Sequence, residues 1–140
     1  MINDNLKLTG ALTIAINDKI VQKTENLVVT AGKNWVADRM NDANTVMSYM
    51  AIGTGTADAL AGDTTLGTEL DRNALSSTTV TANAVAYVAT WAATDGTGAI
   101  TEAGIFDAAS AGDMLARTVF SVVNKGADDS MTITWTVTVS

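Results

Sequence analysis

The last ten residues, MTITWTVTVS, alternate strictly between apolar side chains and threonine. Apolar residues occupy the odd positions from Met131 to Val139, and threonine occupies the even positions from Thr132 to Thr138. Because successive side chains of a β-strand point to opposite faces of a sheet, this pattern predicts a strand with one face in a core and a threonine face outside it. A shift of one residue would exchange the two faces, so the register of this strand is strongly specified.

A period of two recurs along most of the chain, and turn residues separate the segments that carry it. The segment TDGTG at 94–98 predicts a hairpin. About eight antiparallel strands with this spacing predict an all-β sandwich, with a jelly roll as the favoured topology. The predicted strands are 6–16, 20–29 with a break around Glu25 and Asn26, 47–52, 72–81, 83–93, 99–107, 114–123 and 131–140.

Two segments lack this period. In TAGKNWVADRMN, the apolar and charged residues have helical spacing, which predicts one short helix over residues 31–41 with Thr30 as its N-cap. The segment GTGTADALAGDTTLGTELD, which begins at Gly53, is a long loop punctuated by glycine. Long loops in compact domains are usually functional or mobile, so this loop is a candidate contact surface.

The composition restricts the chemistry that the chain can perform. The chain has 140 residues, which fits one domain over 1–140, and it has neither cysteine nor histidine. A disulfide framework, a thiolate metal site and a cysteine nucleophile are therefore excluded. The commonest metal ligand and the commonest acid/base at neutral pH are also missing. We expect a protein that is not an enzyme and that holds no cofactor.

The charge pattern also restricts the partners. Fifteen acidic residues against eight basic ones give a net charge of -7, which argues against nucleic acid, because phosphate-binding surfaces need clustered Lys and Arg. The N-terminus has no signal-peptide pattern, and no apolar stretch approaches the length of a membrane span. We therefore expect a soluble, unprocessed protein that contacts neither nucleic acid nor membrane.

Four sets of residues are candidate sites, and the sequence favours a structural role for each. AIGTGT at 51–56 has a Gly-x-Gly pair but lacks the rest of a dinucleotide or P-loop motif. Glycoside hydrolysis needs two carboxylates that flank one bond, and any acidic chain offers such pairs, here Glu69, Asp71 and Glu102. Calcium needs a spaced acidic loop, which is absent around Asp58, Asp63, Asp128 and Asp129. A sugar-stacking platform would need exposed rings, whereas periodic apolar faces predict core positions for Trp35, Trp91 and Trp135. No catalytic, cofactor or metal residue is predicted.

Two stretches carry a resemblance to a known class of protein. They are MAIGTGTADALAGDTTLGTELDR at 50–72 and AITEAGIFDAASAGDMLARTVFSVVNKGADDSMTITWTVTVS at 99–140. They resemble small structural proteins of tailed bacteriophages, in which AIGTGT, TEAGIF, LARTVF, NKG and TITWT segments recur in that order. Within that group, the chain resembles the cement, or decoration, proteins of the phage head. The resemblance covers about residues 47–140.

The resemblance implies a jelly-roll subunit that dimerises on the capsid exterior and bridges major capsid protein subunits. The alternative is a tail-fibre or receptor-binding module that recognises surface carbohydrate, because similar segments also occur in tail-associated proteins. We expect the shell contacts in the N-terminal segment 1–5, as a mobile arm, and in the loop from Gly53 to Gly67, because mobile exposed segments can become ordered against a partner.

Overall fold

The strands of this chain form two five-stranded antiparallel sheets. The computed structural model describes residues 5–140. Its elements in chain order are β1 Leu8–Ile16, β2 Lys19–Glu25, β3 Leu27–Val28, α1 Thr30–Met40, β4 Tyr49–Gly53, β5 Glu69–Ala74, β6 Ser77–Thr81, β7 Ala84–Trp91, β8 Gly98–Phe106, β9 Met114–Lys125 and β10 Met131–Val139. The strand order is β2-β1-β10-β7-β6 in the first sheet and β3-β9-β8-β4-β5 in the second sheet.

The main core lies between the two sheets and contains the apolar face of β10. Trp135 is fully buried, and it stands opposite Leu12 of β1 and Tyr87 of β7. The outward threonines of β10 alternate with these buried residues and keep partial exposure. The predicted strand and its buried face are therefore confirmed. The neighbouring strands β1 and β10 lie side by side within the first sheet, with β10 at its centre.

The all-β sandwich is confirmed, but residues 5–140 form ten strands where about eight were predicted. The predicted strand 72–81 is two strands, β5 in the second sheet and β6 in the first. The chain changes sheets between two consecutive residues: the Leu75 amide donates to the Ser48 carbonyl, next to β4, and the Ser76 amide donates to the Val88 carbonyl of β7. Periodicity alone does not show this change, because both strands are extended.

The strand order is not that of a jelly roll, in which most consecutive strands alternate between the two sheets. Here β1–β2, β4–β5, β6–β7 and β8–β9 are each neighbours within one sheet. Tight turns with positive φ at Asn17, Asp18 and Ala82 close two of these hairpins locally. The predicted hairpin at 94–98 is also wrong, because β7 and β8 belong to different sheets and this segment crosses between them.

Helix α1 agrees with the predicted helix to within one residue at each end. Its N-cap is Val29, which makes no side-chain capping bond, so the predicted cap at Thr30 is wrong. Thr30 is instead the first helical residue, and its amide donates to the Ala61 carbonyl at 2.8 Å. The helix rests on β9 at Gly32, where a Cβ atom would lie 2.1 Å from the Leu115 carbonyl oxygen.

Candidate functional site

Residues 54–68, which we call the glycine-rich loop, cover the outer face of the second sheet. Alternate residues of β4 divide between two cores: Met50 and Ile52 belong to the main core, whereas Ala51 faces the loop. A second, smaller apolar cluster forms beneath the loop from Val29, Ala51, Leu66, Phe106 and Met114. The second sheet is therefore covered on both faces, and the loop forms a third layer.

Glu102 of β8 fixes both ends of this loop. Its side chain is completely buried. One carboxylate oxygen, Oε2, accepts the backbone amides of Gly55 and Thr68, each at 2.7 Å, and Oε1 accepts the amide of Gly67 at 2.7 Å. A single carboxylate thus joins the first and last turns of a long loop to the sheet below.

Arg117 of β9 fixes the middle of the loop. Its side chain is 3% exposed, and its guanidinium lies 3.0 Å from Oε1 of Glu102 and 2.8 Å from Oδ2 of Asp63. It also donates to the backbone carbonyls of Ala57 and Asp58. We call Asp63, Glu102 and Arg117 the buried ionic cluster. It holds the loop at its beginning, middle and end.

The Glu102 carboxyl is held in its ionised form. Burial raises its pKa, because charge is poorly solvated away from water. Hydrogen bonds from the amides of Thr68 and Gly67, from the Arg117 guanidinium and from the Gly55 amide outweigh burial, and the net pKa lies below its ordinary value. Protonation would turn one of the two accepting oxygens into a hydroxyl donor, so the full set of amide and guanidinium bonds depends on the negative charge.

The glycines of the AIGTGT segment are explained by this arrangement. A Cβ atom at Gly55 would lie 2.3 Å from Oε2 of Glu102, and one at Gly53 would lie 2.7 Å from the same oxygen. The Gly-x-Gly pair therefore allows the backbone to approach an anion closely, but that anion is the protein's own carboxylate. The interpretation of this segment as a structural bend, and not as a phosphate site, agrees with the geometry.

The segments that carry the resemblance meet in this one place. AIGTGT contributes Gly53 and Gly55, TEAGIF contributes Glu102, and LARTVF contributes Arg117. Sequence reasoning treated Glu102 only as a member of a carboxylate pair and did not single out Arg117. Glu102 and Arg117 each lie within an apolar strand segment, and their opposite charges were the sequence signal that these two side chains are buried as a pair.

The other carboxylates that were candidates for glycoside hydrolysis or calcium binding lie apart from one another. Glu69 pairs with Arg72 at 2.7 Å, and the Arg72 guanidinium lies 3.7 Å from the centre of the Phe106 ring. Burial and the adjacent carboxyl of Asp95 raise the pKa of Asp71. Asp63 accepts Arg117, and Asp129 accepts Asn17 and the Gly126 amide. Within residues 5–140, no group of three or more His, Cys, Asp or Glu side chains is placed to hold a metal ion.

The tryptophans do not form a sugar-binding platform. Trp91 and Trp135 have no exposed surface, as their apolar periodic positions predicted. Trp35 of α1 is half-buried against the main core, and its indole donates to the Thr45 carbonyl at 2.6 Å. No two of these rings share an exposed face in the part of the chain that the structure describes.

The side of the glycine-rich loop that faces away from the second sheet is exposed to solvent. Leu60 at its tip is 64% exposed, and a Cβ atom at Gly62 would meet no other atom within 4 Å. The outer side of the predicted contact loop is thus exposed, and hydrogen bonds to the buried ionic cluster tie the loop to the second sheet. Of the predicted N-terminal contact segment 1–5, all but Asn5 lies outside the described residues.

Comparisons with models of protein families, with curated proteins and with solved structures found no match to this chain. Among the described residues, no helix is long and apolar enough to cross a membrane.

Proposed function

We propose that this protein is a virion structural protein of a tailed bacteriophage and that it is not an enzyme. In this proposal it is a head cement, or decoration, protein that is made in the host cytoplasm and binds the capsid exterior as a homodimer. It bridges and stabilises major capsid protein subunits, and it contacts neither nucleic acid nor membrane. The AIGTGT, TEAGIF and LARTVF segments motivate this class of protein. In the structure, the three segments meet where Glu102 and Arg117 hold the glycine-rich loop.

The observation that carries the proposal is the fixed position of the glycine-rich loop. The loop presents the exposed side chain of Leu60 on a backbone that Glu102 and Arg117 hold from below. A loop that is ordered before binding loses little conformational entropy when a partner docks. The contact geometry is thus built into the isolated subunit, which suits a clamp between shell subunits.

Cementing needs only differential binding. A ligand that binds the assembled shell and not its separated subunits stabilises the shell by about 2.7 kcal/mol per site at a free concentration 100 times its dissociation constant. A dimer that bridges two shell subunits gains further, because its second contact is intramolecular. Small gains per site are repeated over the lattice.

The direct test adds the purified protein to undecorated heads. We expect saturable binding at a fixed ratio to the major capsid protein and an increase in the temperature at which the heads rupture. A Leu60→Glu variant should lose most of this binding, because a charge replaces the apolar tip. The matched control is Ile20→Glu, which places the same charge at a residue that is 54% exposed on β2, in the other sheet.

Two outcomes would contradict the proposal. If heads neither bind the protein nor gain resistance to rupture, it is not a cement protein. If it instead binds host cells or their surface glycans, the tail-fibre or receptor-binding alternative replaces it. If Leu60→Glu and Ile20→Glu lose head binding equally, the glycine-rich loop is not the contact surface.

A further inference from the structure

Strand β6 is the one sheet edge of the described chain that carries no protection against pairing. All five residues of β6, with the sequence STTVT, are exposed. Edge strands present unpaired amide and carbonyl groups, and proteins usually protect them with charges, bulges, proline or short length. β6 has no charged residue, and its ladder with β7 has no register shift.

The other three edges are protected. β2 carries Lys19, Lys23 and Glu25, and its pairing with β1 contains a register shift. β3 has only two residues. β5 carries Glu69, Asp71 and Arg72, and its pairing with β4 is also shifted. The absence of such features on β6 is therefore specific to that edge.

No other element of residues 5–140 covers β6. Among the described elements, β7 alone packs extensively against it. Val80 stands opposite Val85 of β7, on the side of the sheet that faces the main core, yet Val80 is 69% exposed while Val85 packs against the core. The strand therefore leaves an apolar side chain uncovered on the core side of the sheet, which pairing with a further strand would help to cover.

The charge distribution indicates which partner fits this edge. The protein has a net charge of -7, so two copies repel each other at long range. Residues 73–94, which include all of β6 and β7, contain no charged residue. A second copy of this chain can therefore pair with this hairpin without placing charged residues of the two hairpins opposite each other.

We propose that two copies of this protein associate through β6 in an antiparallel, two-fold arrangement that joins their first sheets into one continuous ten-stranded sheet. Centring the pair on Thr79 opposite Thr79 pairs all five residues of each β6 and places Val80 opposite Thr78 of the second copy. The paired stretch is about 17 Å long at the usual rise per residue. The inference specifies the interface of the homodimer in the proposed function, and it is tested on the isolated protein.

The first experiment uses the absence of native cysteine. Directly opposed residues of an antiparallel pair have Cα atoms about 4.5 to 5.5 Å apart, which is within disulfide range. Under mild oxidation, we expect Thr79→Cys to form a covalent dimer on a non-reducing gel. The control is Val21→Cys, at a residue 46% exposed on β2 at the opposite edge of the same sheet, which should stay monomeric.

The second experiment measures association by sedimentation velocity from about 1 µM to about 500 µM, the range in which small interfaces associate. The unmodified protein should dimerise, and Thr79→Lys should raise the dissociation constant at least about tenfold, because like charges then meet across the two-fold axis. Val21→Lys adds the same charge at the opposite edge and should leave the dissociation constant unchanged.

Three results would overturn the inference: an unmodified protein that stays monomeric throughout the range, equal dimerisation of the two lysine variants, or cross-linking of Val21→Cys in place of Thr79→Cys. If circular dichroism shows that Thr79→Lys does not fold, the cross-linking of Thr79→Cys compared with Val21→Cys tests the inference instead. A monomeric protein that still binds heads would refute this interface and the homodimer, and it would leave the cement activity of the proposed function standing. A dimer that does not bind heads would support this interface and refute the cement activity.

Discussion

The carboxylate of Glu102 and the guanidinium of Arg117 form an ion pair of 3.0 Å in which the side chains are 0% and 3% exposed. Burying two charges costs several kcal/mol per ion, and their attraction offsets this cost only where hydrogen bonds satisfy the remaining atoms. Here three backbone amides of the glycine-rich loop satisfy the carboxylate, and two loop carbonyls and Asp63 satisfy the guanidinium. The pair therefore determines where the loop lies.

Replacing Glu102 by Gln should lower the free energy of unfolding by about 3 to 5 kcal/mol, because it removes the buried negative charge that faces Arg117. Urea denaturation would measure the change. The control is Asp42→Asn, which removes a 3.7 Å pair with Arg39 in which the Asp42 side chain is 96% exposed, and it should change stability by less than about 0.5 kcal/mol. A loss below about 1 kcal/mol for Glu102→Gln would show that the cluster is easily rearranged.

The stabilisation by Glu102 should be lost in acid. Its pKa in the folded protein is below the ordinary value of 4.5, so the unfolded chain takes up the proton first as the pH falls. Above about pH 4.5, the difference in unfolding free energy between the unmodified protein and Glu102→Gln should be constant. It should shrink as the pH falls from there through the folded pKa. Taking the difference cancels the opposite effect of Asp71, whose pKa is raised.

Two glycines of the loop form a matched pair for testing close packing. At Gly55, the added methyl of alanine would lie 2.3 Å from Oε2 of Glu102, whereas at Gly62 it would meet nothing within 4 Å. We expect Gly55→Ala to cost about 1 to 3 kcal/mol, the usual range for overpacking. Gly62→Ala should stay within about 0.5 kcal/mol of the unmodified protein. Similar melting temperatures for the two variants would contradict the position of the loop over Glu102.

Trp135→Ala should lower the free energy of unfolding by about 3 to 5 kcal/mol, because it removes a large buried ring and leaves a cavity. The ring has no exposed surface, and its indole donates to Oδ1 of Asn26 at 2.7 Å. Trp35→Ala is the comparison: that ring is only partly buried at the edge of the core, so its removal should cost less. Chemical denaturation would measure the free energy of unfolding of both variants. A larger decrease for Trp35→Ala than for Trp135→Ala would contradict the assignment of the core.

The faces of individual elements were predictable from local patterns. The alternation from Met131 to Val139 predicted the buried face of β10, and the helical spacing around Trp35 predicted α1 to within a residue. The break predicted near Glu25 and Asn26 separates β2 from β3. These features depend on neighbouring residues in the chain, so the sequence pattern contains them directly.

The assignment of strands to sheets was not predictable in this way. The extended segment 72–81 divides between two sheets because Leu75 and Ser76 find hydrogen-bond partners in different strands. The segment 94–98 looks like a hairpin turn but connects the sheets, and the local hairpins that do form give a strand order other than that of a jelly roll. Pairing between distant strands is a property of the whole sandwich and leaves no local periodicity.

The sequence by itself determined that this chain forms strands with one apolar face and one threonine face, because alternation of side chains is a local property of the backbone. Only the tertiary structure decided what Gly55, Glu102 and Arg117 do together. They lie 47 and 15 residues apart in the chain, and each is an ordinary residue in its own segment. Their role arises when β8 and β9 pair beneath the glycine-rich loop, because a buried charge is tolerated only where all its partners converge.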